Sequence, residues 1–405
     1  MKLFVRGGWS VTRESRSIVY VIGSLAVAGA ESQLALLAEQ MHLRGWSTAV
    51  FALDASGPLA ERLHRSGVRV ADGRYSDAGS KVGRYTSLSK AVLRLGFYLA
   101  RNRPAVVHGF LPLTNFLAAL LGRLTRAPVV ITSKRGLGNH QDRHPRLKWM
   151  DRVANALSDI VTANSRAVAR DAELRDSCPA SKLRIIPNGL DFSSVSDIVA
   201  ERSTSRQAFG LAEEDVGIVS VANLIPYKGH FELVDAFAHV LGEFPNVKLF
   251  LVGEDRGIQS QLVELAAKKG VNDRVTFLGL RRDVPSILAA MDVGVLASHE
   301  ECFSNAVLEK LAVGLPVVAT AVGGNAEALD DMPNCHLVKA RDTVDLARGL
   351  CAAIGILPEN DRDRGKRMKR IQSRYSISMM VDSYEGVYRS ILKFRNSPRS
   401  DRHSA

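Results

Sequence analysis

Cysteine is scarce in this sequence, with four residues in 405, and the four lie far apart without the paired spacing of a zinc site. This scarcity excludes a disulfide framework and favours a reducing compartment. Long hydrophobic runs are also lacking. The longest uncharged stretch, residues 104–122, is interrupted by Pro104, His108, Pro112 and Asn115, so a buried strand, a loop and a core helix explain it better than a membrane span.

Acidic residues are fewer than basic ones, giving a net charge of +12 and a pI near 9.7. Such a balance points to an acidic partner, which charge alone leaves open as nucleic acid, anionic lipid or a phosphorylated ligand. Basic residues between Lys81 and Arg103 alternate with residues such as Leu93 and Phe97, a pattern typical of a basic amphipathic helix at a membrane surface. A solvated helix face over a core is the open alternative.

The glycine fingerprint of dinucleotide-binding enzymes is missing too, because Gly23 and Gly29 are too far apart for G-x-G-x-x-G. The segment containing them, "RSIVYVIGSLAVAGA", resembles a secretory signal peptide. It also reads as a buried first strand running into a glycine loop, which we favour because the rhythm that follows needs such a strand. We therefore expect a cytoplasmic protein, with a peripheral position at the inner face of the membrane left open.

Short β-branched runs alternate with longer amphipathic segments along the chain, the rhythm of parallel sheets covered by helices. The rhythm pauses between about 187 and 215, which predicts a linker between two doubly wound α/β domains. We expect an N-terminal Rossmann-like domain over 1–190, a C-terminal one over 191–375, and a last helix within 376–405 that packs back on the first domain before a frayed tail. Ligands of such sheets bind at the carboxyl ends of strands.

Four loops that follow strands carry candidate ligand groups, each with a purely structural alternative. Small residues around Gly29 open a helix and let a ligand approach its N-terminus. Lys228 stands just ahead of another helix, where a diphosphate would lie, although an exposed lysine is common. Gly253, Gly279 and Arg282 lie in two further loops that could hold a base and ribose or could simply be charged turns.

The stretch "SHEECFSNAVLEKLAVGLPVVATAVGGNAEAL" holds two carboxylates, Glu301 and Glu309, eight positions apart. We predict a helix that begins near Ser304 or Asn305 and ends at Gly314, so that the carboxylates bracket its N-terminus. Backbone N–H groups there suit an anion, and each carboxylate can accept hydroxyl hydrogen bonds beside it. The alternative is that Glu309 only caps or pairs within the fold.

This stretch closely resembles the E-x7-E donor-site signature of retaining glycosyltransferases of family 4, and "GAESQLALLAEQMHLRGW", "IPNGLD", "VANLIPYKGH", "LVGEDRGIQSQLVELAAKKGVNDRVTFLG" and "YEGVYRSIL" extend the resemblance over nearly the whole chain. The resemblance implies the GT-B fold, in which two Rossmann-like domains face each other across a cleft. It implies transfer from a nucleotide-diphosphate sugar to a saccharide or lipid-linked acceptor with retention, as in bacterial surface polysaccharide or lipopolysaccharide assembly. No cofactor, metal or nucleic acid is expected.

The resemblance also implies a role for each candidate residue. Glu301, Lys228 and His108 are the implied catalytic residues: Glu301 and Lys228 would act on the donor sugar and its diphosphate, and His108 would end a strand near the acceptor. Glu309 would bind the ribose. Donor-binding positions complete the set: Gly29, Phe303, Ser304, Asn305, Gly253, Gly279 and Arg282.

The sequence departs from the family pattern at three places. Cys302 replaces a glycine that is usual in the family, and no arginine precedes Lys228 at the usual positions, so Lys228 acts alone or with Arg281 or Arg282. Lys134 and Arg135 stand where a histidine often follows a strand, which suggests a leaving phosphate or a phosphorylated acceptor as their ligand.

Two other classes of function stay open at this point. A nucleotide-sugar epimerase on a similar fold would bind the same donor and use no acceptor. A non-enzymatic protein of the membrane surface would explain the positive charge alone. A metal-nucleotide site is not expected, because the single D-x-D sequence, Asp361-Arg362-Asp363, lies in a solvated charged stretch.

Overall fold

The computed structural model describes residues 16–78, 80–138, 147–193 and 195–396. The basic start of the chain and the predicted frayed tail lie outside these residues. Within them, the alternation expected from the sequence produces two parallel β-sheets with helices on both faces, one of seven strands and one of six. The predicted α/β fold class is therefore confirmed.

The first sheet has the strand order β3-β2-β1-β4-β5-β6-β7. Its central strands are β-branched and buried on both faces, as a parallel sheet between two helical layers requires. The strand once compared with a signal peptide is β1 at the centre of this sheet. The strands are β1 (Ser17–Ser24), β2 (Ser47–Asp54), β3 (Arg69–Asp72), β4 (Val106–Phe110), β5 (Val129–Lys134), β6 (Ile160–Ala163) and β7 (Leu183–Ile185).

Residues of β1 alternate between the two cores of this domain. Tyr20 packs in one core with Leu34, whereas Val19 packs in the other with Leu95. The helices of the domain are α1 (Gly29–Leu43), α2 (Pro58–Arg65), α3 (Lys81–Asn102), α4 (Pro112–Leu124), α5 (Lys148–Leu157) and α6 (Arg166–Asp176).

The second sheet has the order β10-β9-β8-β11-β12-β13. Its strands are β8 (Val216–Val221), β9 (Val247–Val252), β10 (Val275–Gly279), β11 (Val293–Leu296), β12 (Val317–Thr320) and β13 (His336–Val338). Helices α9 (His230–Glu243), α10 (Gln259–Lys268), α11 (Val284–Ala290), α12 (Asn305–Ala312), α13 (Asn325–Leu329), α14 (Thr343–Ile354) and α15 (Asp361–Tyr375) belong with it.

The segment between the two sheets contains two short helices, Val195–Ala200 (α7) and Arg202–Ala208 (α8), where the sequence predicted only a polar linker. Arg202 and Arg206 explain the difference, because both pair with Asp292 and hold α8 against the second sheet. This segment thus belongs structurally to the C-terminal domain.

The last helix, α16 (Ile377–Asn396), returns to the first domain. Met380, Tyr384 and Tyr388 share a core with Tyr20 of β1. Trp46 Nε1 donates to Glu385 of this helix over 3.0 Å, which fixes the register of the contact. The chain therefore crosses between the domains twice.

Both sheets reverse their strand order at one place, between β1 and β4 in the first and between β8 and β11 in the second. Loops that leave the carboxyl ends of these strands diverge and leave a crevice, where ligands of doubly wound sheets bind. Among the described residues, no helix is long and apolar enough to cross a membrane.

Candidate functional site

Lys228 and Glu301, which are 73 residues apart in sequence, meet in the crevice of the second sheet. Lys228 Nζ lies 2.6 Å from Glu301 Oε1, and Ser298 Oγ donates to the same oxygen over 2.8 Å. Lys228 ends a short 3-10 helix after β8, and Glu301 lies in the loop after β11. Because an ammonium has three donors, Lys228 can hold Glu301 and still donate to an anion.

Two glycines allow these loops to approach closely. Gly229 has φ 70°, and a Cβ there would lie 2.0 Å from the Ala297 carbonyl oxygen. Gly323 has φ 53°, and its Cβ would lie 1.7 Å from the Glu301 carbonyl oxygen. A side chain at either position would displace Lys228 or Glu301.

The predicted helix after this loop is confirmed as α12, with Ser304 as its N-cap. Ser304 Oγ accepts from the Val307 N–H, and Gly314 follows the helix with φ 84°. Phe303 is buried, with its ring 5.3 Å from that of Tyr375. The amides of the first turn have no carbonyl partner in the helix itself, so this end of α12 can receive an anion.

Glu309 lies one turn inside α12, on the same side as Asn305. Its carboxylate makes no hydrogen bond within the described part of the chain. Burial raises its pKa, while the charge of Lys310 opposes that shift. A half-buried carboxylate without an internal partner is a group available to a ligand that donates hydrogen bonds.

Asn188 and Gly29 of the first domain lie at the N-terminal end of α12. Asn188 Nδ2 donates to Asn305 Oδ1 over 2.6 Å. Gly29 faces the same side chain, since a Cβ at Gly29 would lie 3.9 Å from Asn305 Nδ2. Ser165 Oγ donates to the Cys302 carbonyl over 2.9 Å, adding a further contact across the cleft. The start of α12 thus lies where the two domains meet.

Gly253 and Gly279 are brought together at the ends of β9 and β10. The Gly253 N–H donates to the Gly279 carbonyl over 2.9 Å. A Cβ at Gly253 would lie 2.1 Å from the Ala222 carbonyl oxygen, so this loop presses against the loop that leads to Lys228. Arg282 is exposed beside the ion pair of Arg281 with Asp283.

His108 is placed differently from the sequence expectation. It lies in the middle of β4, not at its end, and is fully buried. One ring nitrogen lies 2.8 Å from the Tyr388 hydroxyl and the other 2.8 Å from Ser133 Oγ. Burial, together with the charge of Arg135, holds its pKa well below the usual value. These contacts link β4 to β5 and α16, and the catalytic role given to His108 stays a prediction that its burial does not favour.

Lys134 and Arg135, adjacent in sequence, have separate environments. Lys134 Nζ lies 2.7 Å from Asp151 and 2.8 Å from Asp176, all three side chains being buried. Arg135 instead donates to Asn188 and to the Tyr384 hydroxyl. Arg135 is therefore one hydrogen bond removed from the Asn188–Asn305 contact, whereas the structure does not bring Lys134 to the site.

Sequence reasoning did not single out several residues that complete the site. Asn188 was visible only as part of "IPNGLD", and nothing in the sequence marked Ser298 or Gly323. Lys310 is fully buried next to Glu309. The sequence pattern of the helix does not distinguish this lysine from an exposed one. These residues become apparent only when the loops after β7, β11 and β12 and the helix α12 are brought together.

Two family models match the chain, one in each domain. The model described as Glycosyltransferase Family 4 matches residues 27–194, and the model described as Glycosyl transferases group 1 matches residues 215–355. Together they cover more than half of the chain, and their division falls between the two sheets.

Similar proteins include an N-acetyl-α-D-glucosaminyl L-malate synthase of Bacillus anthracis, 26% identical over 62% of this chain and 64% of that protein. A UDP-Gal:α-D-GlcNAc-diphosphoundecaprenol α-1,3-galactosyltransferase of Escherichia coli is 22% identical over 74% of this chain and 79% of that protein. The chain spans only 48% to 64% of the lengths of four curated relatives, of which the Bacillus anthracis protein is one.

Among solved structures, HepE of Anabaena in complex with UDP superposes with a TM-score of 0.78 at 22% identity. The match covers 92% of this chain and 100% of that one, which shows the shared GT-B fold. From the two family models and this fold, the chain belongs to the family 4 glycosyltransferases.

Proposed function

We propose that this chain transfers a sugar from a nucleotide-diphosphate sugar to a hydroxyl of a saccharide or lipid-linked acceptor, with retention of configuration. The observation that carries the proposal is the Lys228–Glu301 pair at the N-terminus of α12, with Glu309 one turn inside. The UDP bound to HepE and the galactosyltransferase activity in the name of the Escherichia coli relative support it.

In the proposed reaction the acceptor oxygen bonds to the anomeric carbon as the bond from that carbon to the diphosphate oxygen breaks. The electron pair of the broken bond stays on the diphosphate, and a phosphate oxygen takes the acceptor proton on the same face of the sugar. Lys228 and the first-turn amides of α12 stabilise the growing negative charge, and such a preorganised donor contributes about 3–4 kcal/mol. No side chain is assigned as a nucleophile.

The carboxylates divide the recognition of the donor. Glu301, held by Lys228 and Ser298, would accept from hydroxyls of the sugar, and Glu309 would accept from those of the ribose. The loops at Gly253 and Gly279 would hold the base, with Arg282 at their outer edge. Gly29 would approach the sugar and phosphate from the facing domain.

The acceptor side of the proposal is a lipid-linked saccharide at an anionic membrane surface. Residues 78–141 contain ten lysines and arginines and no aspartate or glutamate. Helix α3 lies within this segment and leaves Val82, Tyr85, Leu93 and Phe97 between 69% and 73% exposed. Arg84, Arg123 and Lys134 pair with aspartates outside the segment, at Asp77, Asp159 and Asp151. The remaining excess of positive charge beside exposed apolar side chains suits the headgroup region of an anionic bilayer.

Helix α3 is also placed suitably for an acceptor. It follows β3 and therefore begins at the carboxyl edge of the first sheet, the edge that faces the crevice. A bilayer against the start of α3 would bring a lipid-linked saccharide to the Gly29 side of the site.

Vesicle sedimentation tests the membrane contact. The wild-type chain should sediment with phosphatidylglycerol vesicles, more weakly with phosphatidylcholine, and less at high salt. Leu93→Ser with Phe97→Ser should remove the binding. Leu280→Ser is the control, because Leu280 is 73% exposed on the other domain. Equal binding by wild type and the double variant would refute the assigned surface.

A thermal-stability panel of nucleotide sugars tests the donor assignment, since a ligand that binds the native state raises the melting temperature. Incubation of the stabilising donor alone then distinguishes an epimerase, which forms an epimer, from a transferase, which also needs an acceptor. Absence of stabilisation by every donor would leave only the non-enzymatic membrane protein. Activity that persists in EDTA is the further expectation, because we propose a reaction without bound metal.

A further inference from the structure

Lys310 is a fully buried lysine behind the pair of carboxylates. It belongs to α12 and directly follows Glu309. Its aliphatic chain occupies space that exists only because position 294 is glycine, since a Cβ at Gly294 would lie 2.4 Å from Lys310 Cδ. The strand β11 is therefore shaped to admit this side chain.

The ammonium of Lys310 is poorly satisfied for a buried cation. It donates to the Ala306 carbonyl over 3.3 Å, and no second acceptor occurs among the described residues. An ammonium has three donors, so two lack a protein partner. Burial lowers the pKa of Lys310 to about 8, and the negative charges of Glu309 and Glu301 oppose that shift.

The charged groups that face Lys310 come from three places: Glu309 on its own helix, Glu301 in the loop after β11, and Lys228 in the loop after β8. Other charges on elements packed against α12 are directed elsewhere. Arg364 and Arg367 of α15 donate to the Val313 and Gly314 carbonyls, beyond the opposite end of α12. Asp292, just before β11, accepts from Arg202, and Asp283, just before α11, accepts from Arg281. Glu327 of α13 accepts from the Arg166 N–H.

We propose that Lys310 is a positioning residue of the donor site, whose buried positive charge keeps Glu309 ionised and balances the two carboxylates against an incoming diphosphate. The inference rests on the proposed function. With Lys310 charged, the four groups contribute two negative and two positive charges. Without it, the pocket would present a net negative charge to a negatively charged ligand. The two donors of Lys310 that lack a protein partner favour this role, because a buried lysine with only a structural role would have closer acceptors.

The proposal predicts that removing the charge of Lys310 weakens nucleotide binding without lowering stability. Lys310→Met keeps the length of the side chain and removes its charge. Affinity for a nucleoside diphosphate should fall roughly tenfold at pH 7, as for the loss of one charge-assisted interaction. The melting temperature should stay the same or rise, because an apolar group replaces an incompletely paired buried charge.

Calorimetric titration between pH 6 and 9 makes the test specific, with the best ligand from a panel of UDP, GDP, ADP and dTDP. Wild-type affinity should decline above about pH 8, where free Lys310 loses its proton. Lys310→Met should lack this alkaline decline, and its loss of affinity on acidification should begin at higher pH, because Glu309 then ionises less readily. A purely structural role would lower stability without changing the shape of the profile.

Lys268→Met is the matched control, since Lys268 is exposed on α10 of the same domain and should leave the profile unchanged. Lys310→Leu provides a second uncharged variant if the methionine variant folds poorly. Equal affinity and equal pH profiles for wild type and a folded uncharged variant would overturn the role of Lys310 alone. A wild-type chain that binds none of the four nucleotides would overturn the proposed function as well.

Discussion

Two buried lysines, Lys134 in the first domain and Lys310 in the second, differ in how their positive charge is compensated. Lys134 in the first domain lies within 2.8 Å of two buried carboxylates. Lys310 in the second has one backbone carbonyl at 3.3 Å and two carboxylates that act on it only through their charge. Lys134 and its two carboxylates satisfy one another, whereas Lys310 and Glu309 of α12 keep unused hydrogen-bonding capacity. That difference separates a structural network from a ligand site more clearly than burial does.

The largest effect that tests this comparison is on stability. Lys134→Met would leave Asp151 and Asp176 buried without their shared cation, so the free energy of unfolding should fall by about 3–5 kcal/mol. Urea denaturation measures the change. Lys248→Met is the matched control, because Lys248 also lies 2.7 Å from an aspartate but is partly exposed, so the loss should be smaller, about 1 kcal/mol. Equal losses in both variants would contradict the structural role of Lys134.

The second prediction is a large loss of activity with little loss of stability, the reverse of what is expected for Lys134→Met. Lys228→Ala should lower the rate of sugar transfer by about 3–4 kcal/mol in activation free energy, or roughly a hundredfold to a thousandfold, because it removes charge stabilisation of the leaving diphosphate. Its stability should change little, since the pair with Glu301 is partly exposed. Steady-state rates beside melting curves check both statements, with Lys268→Ala as control. A wild-type rate in the Lys228 variant would end its assigned role.

These contrasts also explain what the sequence could reveal. The rhythm of strands and helices predicted both sheets, and "FSNAVLEKLAVG" predicted the start and end of α12, because these features depend on local patterns of apolar, capping and glycine residues. The surroundings of His108 and Lys134 could not be predicted from the sequence. Whether a polar residue faces a crevice or another buried side chain depends on partners distant in sequence, such as Tyr388 and Asp176. For the same reason, the sequence did not identify Lys310 as a residue of the site.

The third prediction concerns the carboxylate without an internal partner. Glu309→Gln should weaken nucleotide binding roughly tenfold at pH 7.5, because a neutral amide accepts hydroxyl hydrogen bonds less strongly than a carboxylate. Burial raises the pKa of Glu309, so wild-type affinity should also fall as the pH drops through that raised pKa and the carboxylate takes up a proton. Calorimetry across pH 5 to 7.5 should show this acid decline in wild type and not in the variant. Identical acid profiles would remove Glu309 from the ribose site.

The smallest effect is expected at Cys302, where the family usually has glycine. Its backbone carbonyl accepts from Ser165 and Gly324, while its side chain packs beside Leu137 and Val168 of the first domain. Burial raises the pKa of the thiol to about 11, so it stays protonated at pH 8 and should react slowly with iodoacetamide in the native protein.

Cys302→Ala should therefore cost about 1 kcal/mol of stability or less and leave nucleotide affinity within about twofold. Cys302→Gly tests the alternative that the side chain restricts the approach of a donor. A tenfold gain in affinity for the glycine variant, with no gain for alanine, would mean that the backbone at this position borders the ligand. Equal affinities for all three chains would mean that Cys302 differs from the family glycine only through the contact between domains, where its half-buried side chain packs on the first domain.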